Sequence, residues 1–370
     1  MARQGQLHGR EPSHGRERSR RQVGHRRPVT VATVAAVAVA LVSVAGCRTG
    51  GPASSTRPSG HAGIPSSSPK ATTPTSAVPS TSSPASAMGR EGVPAFSHLF
   101  VVVMENLGAT GAMSVPSLAA LAGRYARAPA WYAVSHPSLP NYLALAAGST
   151  FGVSSDCTDC YQSAPNLASQ LAAAGVSWGA YFEGMPSSCF LGPQSPDGSY
   201  AAKHDPFRYF TDVRSTPGLC AQLQPLTALT AALGAGPAVV PRFVWVTPSM
   251  CHSGHDCSAT VAGAWLTGFV AAVTASPAWS QGGALVVTWD EGEGDDSGVD
   301  PASGAVTGSG GGGRVLTLVV APGIAPGTVV DGVYDHYSLL RTVEDAFGLP
   351  LLGEAAAPGT RPMSAFWAGG

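Results

Sequence analysis

Apolar residues in this chain gather in short unbroken runs rather than in strict alternation with polar ones. Leu99–Met104, Trp178–Phe182, Phe243–Val246, Ala284–Trp289 and Val315–Val320 each hold four to six residues, rich in β-branched and aromatic side chains. Such runs predict strands buried on both faces. Ser117–Ala126, Tyr142–Ala147, Asn166–Ala174, Thr260–Ala275 and Ser338–Phe347, lying among them, read as helices. The alternation predicts an α/β fold, a mostly parallel sheet with helices on both faces. In sheets of this kind the active site lies past the carboxyl ends of the strands. The residues that follow each run are therefore the ones to inspect.

The first 92 residues break the pattern. Residues 1–28 are polar and arginine-rich, residues 29–44 form an uncharged apolar run, and Val44-Ala45-Gly46-Cys47 follows. A positive region, an apolar region and a small-residue cleavage site make an export signal. The cysteine directly after Ala-Gly predicts a lipobox, with Cys47 lipidated as the mature N-terminus. The rival is an uncleaved signal anchor, for which the run is short against a span of about 20 residues. Ser19-Arg20-Arg21 also matches a twin-arginine signal. Residues 48–92 are mostly Ser, Thr, Pro, Ala and Gly. Burial cannot offset the ordering entropy of such a composition, so a disordered tether is expected there and a folded domain over 93–370. These features predict a protein of the cell envelope, anchored to the outer face of the cytoplasmic membrane, or secreted.

Composition narrows the partners. The 370 residues are 44% apolar and only 12% charged, against about 25% charged in an average soluble domain. Residues 1–47 carry eight arginines and two glutamates, which leaves 13 basic and 20 acidic residues in the rest of the chain. An acidic domain is a poor ligand for nucleic acid, and an anionic substrate would require a local positive centre such as a metal. Besides Cys47 there are six cysteines. In an exported chain an even number predicts disulfides, and proximity suggests Cys157–Cys160, Cys189–Cys220 and Cys251–Cys257. The alternative, a zinc site at Cys157-x-x-Cys160, lacks a second pair at suitable spacing.

The candidate chemistry lies where the fold class directs it. Glu105 and Asn106 follow the first run, Asp290 and Glu291 follow the fourth, and the loop after Phe243–Val246 carries His252, His255 and Asp256. Carboxylates brought to one point repel strongly unless a cation lies among them, and oxygen ligands suit Mg²⁺, Mn²⁺ or Ca²⁺ better than zinc. The alternative is a solvated acidic loop, since Glu293, Asp295 and Asp296 continue the sequence. Ser138, in the proline-rich turn Ser135–Tyr142, is either a simple helix N-cap or a nucleophile facing a phosphate at a helix N-terminus.

The segments Val101–Asn106, His136–Tyr142, Lys203–Phe207, His255–Cys257, Thr288–Gly292, Gly313–Pro322 and His336–Gly348 occur in the order of a known family and span most of residues 95–355. In them the chain resembles the bacterial phosphoesterase family of acid phosphatases and phospholipases C, within the alkaline-phosphatase superfamily. It is most similar to secreted acid phosphatases that include phosphatidylinositol-3-phosphate phosphatases. The resemblance implies one divalent cation held by Glu105, Asn106, Ser138, Asp290 and Glu291. It also implies Ser138 as nucleophile, His204 and His255 as phosphate contacts and proton donors, and an acidic optimum. His336 would be either a support behind the site or a further phosphate contact, and Lys203 either a substrate contact lending positive potential or a surface residue. Leu107 and Asp205 depart from the family, which often has His and Asn there. The implied activity is hydrolysis of lipid or small-molecule phosphomonoesters. The alternatives are a phospholipase C-type phosphodiesterase and an inactive lipoprotein that binds phosphorylated ligands.

Overall fold

The computed structural model describes residues 89–295, 297–299, 306–307 and 311–368. The expected signal segment with Cys47, and the expected tether as far as residue 88, lie outside the described residues. Residues 89–92, expected as the end of the tether, are among the described ones and contact the domain. Arg90 donates to Leu349 O at 2.9 Å and Glu91 pairs with Arg341 at 2.8 Å.

In chain order the strands are β1 (His98–Met104), β2 (Ala126–Ala128), β3 (Ala130–Tyr132), β4 (Trp178–Phe182), β5 (Leu223–Pro225), β6 (Phe243–Thr247), β7 (Gly283–Trp289), β8 (Gly298–Val299), β9 (Val306–Thr307), β10 (Thr317–Val320) and β11 (Val333–Asp335). The α-helices are α1 (Ala109–Ser114), α2 (Pro116–Arg124), α3 (Ser138–Ala147), α4 (Leu167–Ala173), α5 (Thr211–Ser215), α6 (Pro217–Cys220), α7 (Leu226–Ala235), α8 (Ala259–Thr274) and α9 (His336–Phe347). All five expected strands and all five expected helices are present, with ends shifted by a few residues. A seven-stranded sheet in the order β2-β10-β7-β1-β6-β4-β5 forms the centre, flanked by helices. Its strands run parallel except β10, which is antiparallel to both β7 and β2.

Every residue of β1, β4, β6 and β7 is buried, as their unbroken apolar runs require. Each buried Val or Leu contributes about 1.5–3 kcal/mol, so the sheet centre is fixed by burial rather than by its loops. α3 packs on α9, and α2 packs on α8. Register then places the chemistry. Met104 pairs with Trp289, so Glu105 and Asp290 leave the sheet side by side, and Phe182 pairs with Thr247, which puts Glu183 on the same edge with β6 between it and β1. Three disulfides, Cys157–Cys160, Cys189–Cys220 and Cys251–Cys257, staple the loops on the β4 and β6 side, in the pairing that proximity suggests. No described helix is long and apolar enough to cross a membrane.

Candidate active site

Glu105 and Asn106 extend from β1. Asn106 has φ +45°, a left-handed conformation that asparagine accepts more readily than most residues. Its N–H donates to Asp290 Oδ1 at 3.1 Å, and the Asp290 N–H donates to Met104 O at 2.9 Å. The two strand ends are thus laced together. Gly292, two residues past Asp290, must be a glycine, since a Cβ there would lie 2.6 Å from Arg314 O.

Ser138 is the first residue of α3 and is buried. Its Oγ lies 3.3 Å from Glu105 Oε2 and 3.3 Å from Glu291 Oε1. No side chain of the preceding turn caps α3. Instead Asp156 reaches in from another loop and accepts the Leu139 N–H at 3.1 Å. Asn141, completely buried one turn later, grips the turn from inside. Its Oδ1 accepts the N–H groups of Val134 and Ser135 at 3.0 Å each, and its Nδ2 donates to Ser135 O at 2.7 Å and to Pro137 O at 3.2 Å. The His136–Pro137 bond is cis. His136 Nδ1 pairs with Glu291 Oε2, and the Tyr142 hydroxyl donates to Glu105 Oε1.

Burial raises the acids of this cluster. Desolvation, with the charge of Asp290 beside it, holds Glu105 well above the usual carboxylate range, and desolvation with Glu291 beside it pushes Asp290 up to about 7. Two buried acceptor atoms, Asn106 Oδ1 and Asp290 Oδ2, have no hydrogen-bond partner. Orphaned oxygens among three carboxylates suit a hard divalent cation, which would satisfy them and cancel the repulsion. Among the described residues no three His, Cys, Asp or Glu side chains form a metal cluster by themselves. The donors that fit include the amide of Asn106 and the hydroxyl of Ser138.

The histidine side comes from two other segments. His204 ends the 3₁₀ turn Ala202–His204, is buried, stacks on Tyr142, and has Nε2 3.2 Å from Glu105 Oε2 without hydrogen-bond alignment. Desolvation, with Lys203 and His255 nearby, holds its pKa well below the ordinary histidine value. His255 is partly exposed, and Asp256 Oδ1 is 2.8 Å from its Nδ1. Lys203 Nζ lies 3.0 Å from His255 Nε2 and 2.9 Å from Asp156 Oδ2. The one lysine of the domain is therefore an ion-paired part of the site wall. The family departure at Asp205 is structural. Its buried carboxyl accepts from the Tyr200 hydroxyl at 3.0 Å and the Arg208 N–H at 3.2 Å, and desolvation pushes it up to about 7.

Of the two sequence readings of His336, its surroundings fit the supporting one. It is fully buried at the first turn of α9, which Asp335 and Ser338 cap reciprocally, and its Nε2 bonds to the backbone oxygen of Asp290 at 2.6 Å. It supports Asp290 from behind and is not presented to a substrate. Sequence reasoning missed His136, Asn141, Tyr142 and Asp156. The first three stand within the Ser135–Tyr142 turn, so the signal was their density of polar and aromatic types around Ser138. Asp156 carries no such signal.

A model of the Phosphoesterase family matches residues 93–350. The chain is 32% identical over 286 residues to the phosphatidylinositol-3-phosphatase of Mycobacterium tuberculosis, covering 76% of this chain and 86% of that protein. It is 30% identical over 268 residues to the phosphate-repressible acid phosphatase of Penicillium chrysogenum, covering 70% of this chain and 61% of that one, so it spans about three fifths of that relative's length. Among solved structures it is similar to a protein in the alkaline phosphatase superfamily from Vibrio parahaemolyticus, with TM-score 0.47, 14% identity, and coverage of 72% of this chain and 70% of that chain.

Proposed function

The chain belongs to the Phosphoesterase family, and from that premise we propose that it is an exported, metal-dependent phosphatase that hydrolyses phosphomonoesters through a phosphoserine at Ser138. It is a phosphoric monoester hydrolase of the acid-phosphatase type. The observation that carries the mechanism is Ser138 Oγ, set 3.3 Å from each of two buried carboxylates at the start of a helix.

Glu105, Asn106, Ser138, Asp290 and Glu291 would hold the cation. When bound, it would lower the hydroxyl pKa of Ser138 and neutralise charge on the phosphoryl group. Ser138 Oγ attacks phosphorus in line, its proton passing to a flanking carboxylate; the P–Oγ bond forms as the bond to the leaving alcohol breaks. His255, partly exposed and oriented by Asp256, is the proton donor to the leaving oxygen once the substrate has drawn Lys203 away from its Nε2. His204, held neutral by burial, contacts the phosphoryl oxygens. Water then cleaves the phosphoserine and releases inorganic phosphate. Lys203 adds positive potential through His255, and His136 and Tyr142 orient Glu291 and Glu105.

The substrate class is a small or lipid phosphate ester; the lipid case draws support from the mycobacterial relative named as a phosphatidylinositol-3-phosphatase. Three disulfides fit an oxidising compartment, which supports export. Lipidation at Cys47 and attachment to the envelope belong to the same proposal. The test is turnover of p-nitrophenyl phosphate before and after chelation. Activity is expected to vanish on chelation, to return with added Mg²⁺, Mn²⁺ or Ca²⁺, and to be absent in Ser138→Ala whatever metal is added. Full turnover by a chelated, metal-free sample would overturn the ligand set and the mechanism together. Faster turnover of p-nitrophenyl phosphocholine than of the monoester would assign a phosphodiesterase instead.

A further inference from the structure

One ionisable pair on the site's edge takes no part in this mechanism. Glu183 directly follows β4, and its N–H donates to Thr247 O at 3.0 Å. Thr247 Oγ1 in turn donates to His204 O at 3.2 Å, and Glu183 and His204 line one small cavity. Glu183 therefore stands at the carboxyl end of β4, two strands from β1, and is tied through Thr247 to a histidine of the phosphate site.

Its carboxylate is committed inward. Oε2 accepts the Ser249 N–H at 2.9 Å, and His252 Nδ1 lies 2.9 Å from both carboxylate oxygens. That pairing places a proton on Nδ1 and orients the ring. The His252 ring is stacked at 22° on Trp265, which itself stacks on Phe269. Nε2 of His252 has no protein partner among the described residues, and the side chain is 40% exposed. An imidazole clamped on one nitrogen and on one face, with its other nitrogen free, is built to meet a ligand. His252 and His255 also share the ring closed by Cys251–Cys257. The ring therefore holds His252 three residues from the proposed proton donor, His255.

Resting on the phosphatase reading above, we propose that the Glu183–His252 pair is a leaving-group subsite, in which His252 Nε2 hydrogen-bonds a hydroxyl of a polyhydroxylated alcohol. It selects esters of sugars and polyols, whether free or as a lipid headgroup, and takes no part in cleaving the P–O bond.

The experiment compares wild type, His252→Ala, His252→Gln and Glu183→Gln, each loaded with metal, on p-nitrophenyl phosphate, glucose 6-phosphate and a short-chain phosphatidylinositol 3-phosphate. The first ester has no hydroxyl on its leaving group and reports folding and chemistry. His252→Ala and Glu183→Gln are expected to stay within about twofold of wild type on it. On one or both hydroxyl-rich esters kcat/KM should fall about three- to tenfold, through KM, the worth of one hydrogen bond. His252→Gln should recover part of the loss by placing an amide near the Nε2 position. A loss confined to the lipid identifies the headgroup as the source, and one confined to the sugar identifies a free ester. Equal losses on all three esters, or none on any, would overturn the subsite. A wild-type enzyme that hydrolyses none of the three would overturn the phosphatase reading, and the subsite with it.

Discussion

Asn141→Ala is expected to damage the enzyme without touching a reacting group. The side chain is fully buried and makes four hydrogen bonds to the turn that presents His136 and Ser138, and alanine removes all four. A neutral hydrogen bond contributes about 1 kcal/mol net, and a buried group left unpaired costs about 1–3 kcal/mol. Val134, Ser135 and Pro137 are half-buried, so water recovers part of the loss and holds it to about 3 kcal/mol. Better helix propensity offsets about 0.5 kcal/mol. The net is about 2–3 kcal/mol, or roughly 5–10 °C in Tm for a domain of this size. Ser138 keeps its hydroxyl but is no longer held between Glu105 and Glu291. A displacement approaching 1 Å lowers kcat by about ten- to a hundredfold. Thermal melts and kcat on p-nitrophenyl phosphate at saturating metal measure both effects. Asn141→Asp, which keeps the acceptor and loses the donors, should fall between wild type and alanine in kcat. An Asn141→Ala protein that melts within 1 °C of wild type at unchanged kcat would refute the claim that this amide positions the nucleophile.

Cys251→Ser combined with Cys257→Ser opens a short ring and should cost about 2 kcal/mol of stability. It should also lower kcat/KM on p-nitrophenyl phosphate, because His255 is no longer held; an unchanged kcat/KM would show that the ring does not fix the histidine. Glu344, fully buried with Leu352 N–H on its Oε1, has its pKa pushed up by desolvation to about 9. The folded protein therefore holds a proton there that the unfolded chain loses above its ordinary value near 4.5. Stability falls as pH rises from that value towards 9, by about 2–4 kcal/mol between pH 5 and pH 8. Denaturant melts of Glu344→Gln should lack that part of the slope, and parallel pH profiles for the two proteins would exclude it. Cys47→Ser should move the protein from the membrane fraction to the medium, and unchanged fractionation would favour an uncleaved anchor.

The legible parts of this fold are those that burial dictates. β1 and β7 are apolar on both faces because each lies between strands and under helices, and a run such as Phe100–Met104 has no other stable placement. An apolar run does not encode direction, so nothing in Thr317–Val320 announces that β10 runs against its neighbours. Short edge pieces such as β2 and β5 carry too few residues for a periodic signal. At the site, Glu105, Asn106, Asp290 and Glu291 were readable because each follows a strand. Asp156 was not, since it reaches Leu139 and Lys203 only through space. His336 was visible as a motif residue, but only the packing of α9 shows that it faces the back of Asp290.

All three disulfides fall between residues 157 and 257, on the histidine side of the site, while the carboxylates are borne by β1 and β7, which lie outside that stretch. Hydrophobic burial therefore assembles one half of the catalytic apparatus, and oxidation completes the other. In a reducing compartment the sheet and its acids are already in place, whereas the ring carrying His252 and His255 is open. On the proposed mechanism, reduction should therefore lower turnover by freeing His255 while leaving the carboxylate half of the site in place.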